Sequence, residues 1–241
     1  PMKIKNYMGA VLFLGACAAP TTSVNIDAEP LTKEGFLFYI DEDTHLHHSE
    51  LLTQIQLPSA DYIVPDILNL LPNALREYRS GTHQGIDFSI PLNAPVKAVF
   101  DGVVIRSNPH HNEVDIDTFK GFLETSHQLG KTPDDIYQYI LLGKSIIIDH
   151  GYNITKKYRT ISVYAHLSSI PEGVVPGTKV SKGDVIGYSG NTGTSDGALR
   201  NKKGAHLHWE LHFDDKNQRY YLGQNIPQKN LKDNIDLLFS N

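Results

Sequence analysis

From residue 79 onward this chain is written in short runs rich in β-branched and aromatic residues, and Gly, Pro and Asn punctuate them throughout. One run, Ile86-Asp-Phe-Ser-Ile90, alternates apolar and polar residues, as a strand with one buried face does. Many short strands separated by turn residues fold as an antiparallel sheet or sandwich. We therefore expect a mainly β fold with an antiparallel sheet or sandwich core. The 241 residues are 40% hydrophobic, enough for a substantial core. The net charge of -5 lacks the basic footprint that nucleic-acid binding through the backbone requires. No internal repeat or low-complexity tract interrupts the chain, and a monomer is expected.

The organisation reads in segments. Residues 1–16 resemble a secretory leader, with Lys3 and Lys5 ahead of the apolar run Met8-Gly-Ala-Val-Leu-Phe-Leu14. That run is too short to span a bilayer, which needs about 20 apolar residues. Residues 17–34 read as a polar tether. Residues 35–78 form an α+β extension, with Gly35-Phe-Leu-Phe-Tyr-Ile40 as a strand and Ile67-Leu-Asn-Leu-Leu71 as a short apolar element. Residues 79–225 are the main domain and 226–241 a tail.

Three islands in the main domain carry chemistry: His83-Gln-Gly-Ile-Asp87, Tyr164-Ala-His166-Leu, and His206-Leu-His208-Trp-Glu. Together they offer two histidines and a carboxylate for a divalent metal, with two further histidines for proton transfer. A catalytic zinc uses three protein ligands and keeps a position open. In a strand, His206 and His208 leave the same face with Cα atoms roughly 7 Å apart. One can bind metal while the other reaches a water or substrate atom. His83 and Asp87 would sit about 13 Å apart if fully extended, so the chain must bend between them, and Gly85 permits it. The chain has 12 histidines. His45, His47 and His48 fall in a polar loop without strand pattern, and His110, His111 and His127 fall in an insertion; these six are read as surface residues.

These islands and their neighbours resemble the lysostaphin-type (LytM-domain) peptidoglycan metallopeptidases. The resemblance starts with Arg79-Ser-Gly-Thr-His83-Gln-Gly-Ile-Asp87-Phe and Ala94-Pro-Val-Lys-Ala-Val-Phe-Asp-Gly-Val-Val104. It continues through Ile146-Ile-Ile-Asp-His-Gly151, Tyr164-Ala-His166-Leu, Gly177-Thr-Lys-Val-Ser-Lys-Gly183, Gly187-Tyr-Ser-Gly-Asn-Thr-Gly193 and His206-Leu-His208-Trp-Glu. It implies the duplicated hybrid motif type of β-sheet core, with Zn2+ held by His83, Asp87 and His208 and with His166 and His206 as catalytic histidines. It also implies a zinc endopeptidase that cuts peptide cross-links in peptidoglycan, with D-alanyl–diaminopimelate as the expected bond. No His-Glu-x-x-His motif is present to place a glutamate base, and a histidine with an ordinary pKa near 6.5 can take that role. His150 is either a support behind the ligands or a strand-end residue. A non-enzymatic LytM-domain lipoprotein that regulates an amidase is the alternative, although such regulators have lost ligands or catalytic histidines. A metal-binding protein with closed coordination is a third reading.

Two stretches depart from the family pattern. Residues 108–142 form a long insertion in which Asp117 or Thr118 caps a helix carrying Phe119, Phe122 and Leu123 on one face and ending before Gly130. Thr132-Pro-Asp-Asp135 opens a second helix, with proline at its first position. A helical wall beside the substrate groove is expected. The loop from Thr194 to Ala205 is also long; its Arg200, Lys202 and Lys203 are either contacts for stem-peptide carboxylates or part of a solvated loop, and the nearby Asn191 is a further substrate-loop candidate.

Leu14-Gly-Ala-Cys17 resembles the lipobox of bacterial lipoproteins, which implies cleavage before Cys17 and lipid on its thiol. Cys17 is the only cysteine, and lipidation accounts for an otherwise odd thiol in a secreted chain. Ala18 rather than Asp after the cysteine resembles the pattern sorted to the outer membrane, facing the periplasm.

Overall fold

A computed structural model of the chain describes residues 33–59 and 62–240. The expected leader and Cys17 lie outside the described residues. The described elements open with β1 (Phe36–Tyr39) and β2 (His45–His47), followed by β3 (Leu75–Arg76) and β4 (Gly81–Thr82) around a single 3-10 turn, Glu77–Arg79. Then come β5 (Ile86–Phe88), β6 (Pro95–Lys97), β7 (Gly102–Ser107), helix α1 (Ile116–Gln128) and helix α2 (Asp134–Ile136), which runs on into a wide π turn, Tyr137–Leu141. The rest comprises β8 (Ile146–Gly151), β9 (Arg159–Ala165), β10 (Leu167–Ser169), β11 (Lys179–Val180), β12 (Val185–Ser189), α3 (Ser195–Ala198), β13 (Leu207–Asp214), β14 (Arg219–Tyr221) and α4 (Gln228–Asp236).

The mainly antiparallel β expectation holds. The large sheet runs β11-β7-β8-β9-β13-β14, with β5 also on β13, and a second sheet runs β10-β12-β6. β13 is the keystone. One edge pairs with β9 along its length, and the other pairs first with β5 and then with β14. Its side chains alternate strictly. Leu207, Trp209, Leu211 and Phe213 are fully buried in the main core, while His208, Glu210 and His212 face the other way. Truncating Trp209 to alanine would cost about 3–5 kcal/mol by transfer and cavity terms.

The segments at either end of the main domain pack into this same core. Phe38 of β1 stacks on Tyr220 at 4.9 Å between ring centroids and also meets Phe213 and Tyr158. Leu231 and Ile235 of α4 and Phe239 beyond it join them. Asn234 ties the two ends together, accepting from the Gly35 amide and donating to the Phe36 carbonyl.

Three local expectations need correction. His45-Leu-His47 is not a plain polar loop: it pairs with β1, because Leu46 between the histidines is fully buried against the core. Helix α1 is capped by Asp115, whose carboxylate accepts from the Asp117 and Thr118 amides, so it starts before the residues expected to cap it. Pro133 is the residue preceding α2 rather than its first helical position, with an extended backbone.

Candidate metal centre

β5 and β13 align Asp87 directly opposite His208. Directly opposed residues in an antiparallel pair put their side chains on the same face within contact range. Here the His208 Nδ1 lies 2.8 Å from Asp87 Oδ1. His83 comes from the segment between β4 and β5, which is pinned by its backbone amide to the Ala74 carbonyl. Its Nδ1–H donates to the Leu71 carbonyl at 2.9 Å, which turns Nε2 inward, 3.0 Å from both Asp87 Oδ1 and His208 Nδ1. The ligand atoms of His83, Asp87 and His208 all lie within 4.8 Å of one another, and this is the one such set among the described residues.

Gly85 serves this arrangement differently from the sequence reading. Its backbone is not in the left-handed region. An added Cβ would lie 2.5 Å from the Trp209 carbonyl oxygen and 2.9 Å from His208 Cε1. Glycine is required there because the His83–Asp87 segment passes directly against β13.

Two further groups orient the ligands. Arg76 pairs with the outer oxygen of Asp87 at 3.2 Å. The far nitrogen of His208, Nε2, donates to Glu210 Oε1 at 2.8 Å, and Glu210 Oε2 accepts from His212 Nε2 at 2.6 Å. Glu210 is 2% exposed, and the Tyr137 hydroxyl donates to it as well. Burial alone would raise the carboxyls of Asp87 and Glu210, but hydrogen bonds from the histidines outweigh it and hold both well below the usual carboxylate range. Burial opposes charge on His208, yet its bonds to Asp87 and Glu210 push it up to about 9. Burial lowers His83 instead. Two buried carboxylates therefore share one imidazolium, with two imidazole nitrogens 3.0 Å apart facing the same point. A divalent cation at that point satisfies all of them better than one proton can. The donor set, two nitrogens and an oxygen, suits zinc with a position left open.

The other two histidines stand beside this set, the His166 ring centroid 5.6 Å from that of His208. His166 follows β9 with φ at 60°, a left-handed conformation uncommon outside glycine. Its backbone amide is held by the Leu142 carbonyl and its Nδ1–H by the Thr192 carbonyl at 2.8 Å. His206 donates Nδ1–H to the Gly204 carbonyl at 2.8 Å, and its Nε2 comes within 3.9 Å of Asp87 Oδ1. Both rings thus keep Nε2 free, and their centroids are 4.6 Å apart. Burial, reinforced by His206 and His208, holds His166 well below its ordinary pKa, so it stands ready as a neutral proton acceptor.

The five residues line one groove of about 640 Å³, with Phe119 and Leu123 of α1 forming part of its wall. The other candidates fall elsewhere. His150 is buried on β8, bonded to the Asp101 carbonyl and the Ser162 hydroxyl, and does not line the groove. Asn191 is spent internally, its amide donating to the carbonyls of Asn201 and Lys203. Arg200, Lys202 and Lys203 are exposed and also absent from the groove lining; the charged side chain this loop presents there is Asp196. Glu210, His212 and Arg76 were missed in the sequence. For Glu210 and His212 a signal existed, since positions 206, 208, 210 and 212 share one strand face. Nothing in the sequence pointed to Tyr137.

The family model for Peptidase family M23 matches residues 81–220, a stretch that contains all five groove residues. The chain belongs to peptidase family M23. Over 133 residues this M23 chain is 31% identical to the peptidoglycan DD-endopeptidase ShyA of Vibrio cholerae, covering 55% of the chain but 21% of ShyA. It is 30% identical over 166 residues to an uncharacterized metalloprotease of Buchnera aphidicola, covering 68% of the chain and 32% of the relative. It therefore spans a third or less of the length of these relatives. Among solved structures, a putative M23 peptidase of Pseudomonas aeruginosa is 27% identical, with coverage of 54% and 38% and a TM-score of 0.34. The catalytic domain of lysostaphin from Staphylococcus simulans is 22% identical, with coverage of 56% and 69% and a TM-score of 0.35.

Proposed function

We infer that this M23 protein is a zinc-dependent endopeptidase that hydrolyses peptide cross-links in bacterial peptidoglycan, with D-alanyl–diaminopimelate as the bond. The observation that carries the reading is the pairing of the convergent His83–Asp87–His208 set with two histidines that keep a free nitrogen on the same groove. A non-enzymatic regulator has no need of both. The similarity to ShyA, a peptidoglycan DD-endopeptidase, supports the choice of substrate class.

Zinc held by His83, Asp87 and His208 would supply a Lewis acid that polarises the scissile carbonyl and acidifies a water. The remaining chemistry belongs to the chain. His166, neutral and fixed by the Thr192 carbonyl, accepts the proton of the attacking water at Nε2. His206, fixed by the Gly204 carbonyl with its ring centroid 4.6 Å from that of His166, orients the same water through its free Nε2, and the proton taken up by the pair is later returned to the leaving amine. The envelope location, with lipid on Cys17, belongs to the same proposal and rests on Leu14-Gly-Ala-Cys17; labelling with a radioactive fatty acid that is lost in Cys17→Ser tests it.

The decisive experiment is digestion of purified sacculi with and without chelator, followed by mass analysis of the released muropeptides. Loss of cross-linked dimers, abolished by chelator, is expected. Unchanged cross-linking with zinc-loaded protein overturns the endopeptidase reading.

A further inference from the structure

The insertion does more than wall the groove. Its stem residue Glu113 accepts from the Gly193 amide at 2.8 Å, and its end supplies the Leu142 carbonyl that holds the His166 amide at 3.0 Å. Between those points the turn after α2 brings the Tyr137 hydroxyl onto Glu210, 3.4 Å from His208 Nε2. Glu210 is shut away from water and makes all its bonds to three side chains: His208, His212 and Tyr137. The Tyr137 ring is gripped in turn. Arg79 lies over it at 5.5 Å and is anchored through its guanidinium to Thr132 Oγ1 at 2.9 Å. Thr132 Oγ1 donates back to the Arg79 carbonyl at 2.8 Å.

Glu210 sets the orientation of His208 by taking its Nε2–H, which leaves Nδ1 for the cation. Partners of this kind behind a metal-bound histidine are worth roughly 10- to 100-fold in metal affinity. Tyr137 is the one member of the Glu210 cluster that comes from the insertion; the others belong to β13 itself. We propose that Tyr137 is a positioning residue through which the insertion holds the metal centre, so that docking of residues 108–142 and retention of zinc are a single coupled equilibrium. The proposal rests on the reading of His83, Asp87 and His208 as zinc ligands and not on the peptidase activity. Linkage makes it reciprocal: metal tightens the insertion as the insertion tightens metal.

The test uses the full chain and zinc itself. Tyr137→Phe removes one hydroxyl and keeps the ring, and Tyr139→Phe, exposed on the same turn, is the control. Because Tyr137 acts through Glu210, the zinc dissociation constant from chelator competition is expected to rise roughly 10-fold in Tyr137→Phe, the lower end of that range, and to stay at the wild-type value in Tyr139→Phe. Substituted cobalt should show an altered visible spectrum in Tyr137→Phe alone. In hydrogen exchange, zinc is expected to slow the amides of α1 and the Tyr137–Leu141 turn in the wild type and much less in Tyr137→Phe. An unchanged zinc constant, or exchange in the insertion indifferent to zinc, overturns the proposal. His83→Ala separates the two readings. If it still binds zinc like the wild type, the metal assignment fails; if it loses zinc while Tyr137→Phe does not, only the coupling fails. Should Tyr137→Phe unfold, exchange in the wild type with and without zinc decides alone.

Discussion

His83 Nε2 and His208 Nδ1 lie 3.0 Å apart although 125 residues separate them in the chain. They present different nitrogens, and the reason is local. The Leu71 carbonyl occupies His83 Nδ1, while Glu210 occupies His208 Nε2. Each ring is left with one nitrogen for Asp87 and for the cation. His208→Ala or Asp87→Ala should therefore abolish stoichiometric zinc, measured by elemental analysis of the purified protein. Chelation should also lower the melting temperature of the wild type, since a ligand at 100 times its dissociation constant adds about 2.7 kcal/mol. A melting temperature indifferent to chelator would contradict a folded-state zinc site.

His166 and His206 face each other at 4.6 Å without entering the His83–Asp87–His208 set. Replacing His166 by alanine should thus separate binding from catalysis. Zinc content should stay at the wild-type level, and muropeptide release should fall about 10²- to 10⁴-fold, the usual worth of a positioned acid or base. A variant that retains activity within about threefold of the wild type would remove His166 from the mechanism.

Gly85 offers a structural test of the same centre. An alanine Cβ would sit 2.5 Å from the Trp209 carbonyl oxygen, 2.9 Å from Glu210 Cγ and 2.9 Å from His208 Cε1. Backbone cannot yield as a flexible side chain can, so β5 must move off β13 and carry Asp87 with it. Gly85→Ala should cost about 1–3 kcal/mol, the range for overpacking, and should weaken zinc binding along with stability. Thermal melts and chelator competition measure the two. A stable variant with wild-type zinc affinity would show that the close approach is dispensable.

Much of this site was legible because its chemistry is concentrated in short motifs. His83, Asp87, His166, His206 and His208 are spaced in ways that a strand or a bend can exploit, and all five meet in one groove. The strand parity that pointed to His206 and His208 extends to Glu210 and His212, and stopping at two positions missed the buried carboxylate that orients the ligand. Tyr137 and Arg76 carry no such signal, since their roles arise from packing between distant segments. Arg200, Lys202 and Lys203 are exposed outside the groove lining, whereas Asp196 of the same loop is part of it, a difference that charge in the sequence does not show. The strand at His45–His47 was hidden because a single buried residue, Leu46, is a weak period against so many polar neighbours.

His150 provides a prediction away from the metal. Its Nδ1–H donates to the Asp101 carbonyl at 2.8 Å and its Nε2 accepts from the Ser162 hydroxyl at 2.7 Å, which only the neutral ring can do. Burial holds it below its ordinary pKa of 6.5. With a depressed folded-state value, the unfolded chain takes up the proton first as pH falls. The associated stability is present in full above about pH 6.5 and is lost progressively as pH drops toward the folded value. His83 and His166 are lowered too, so the wild-type slope has several contributors. His150→Gln isolates one of them, since glutamine does not titrate. Denaturant unfolding between pH 7.5 and pH 5, at saturating zinc, should show a shallower loss of stability in the variant. The difference in slope can reach at most about 1.4 kcal/mol per pH unit, the value for one proton. Parallel profiles would mean that His150 is charged to the same extent in the folded and unfolded chains.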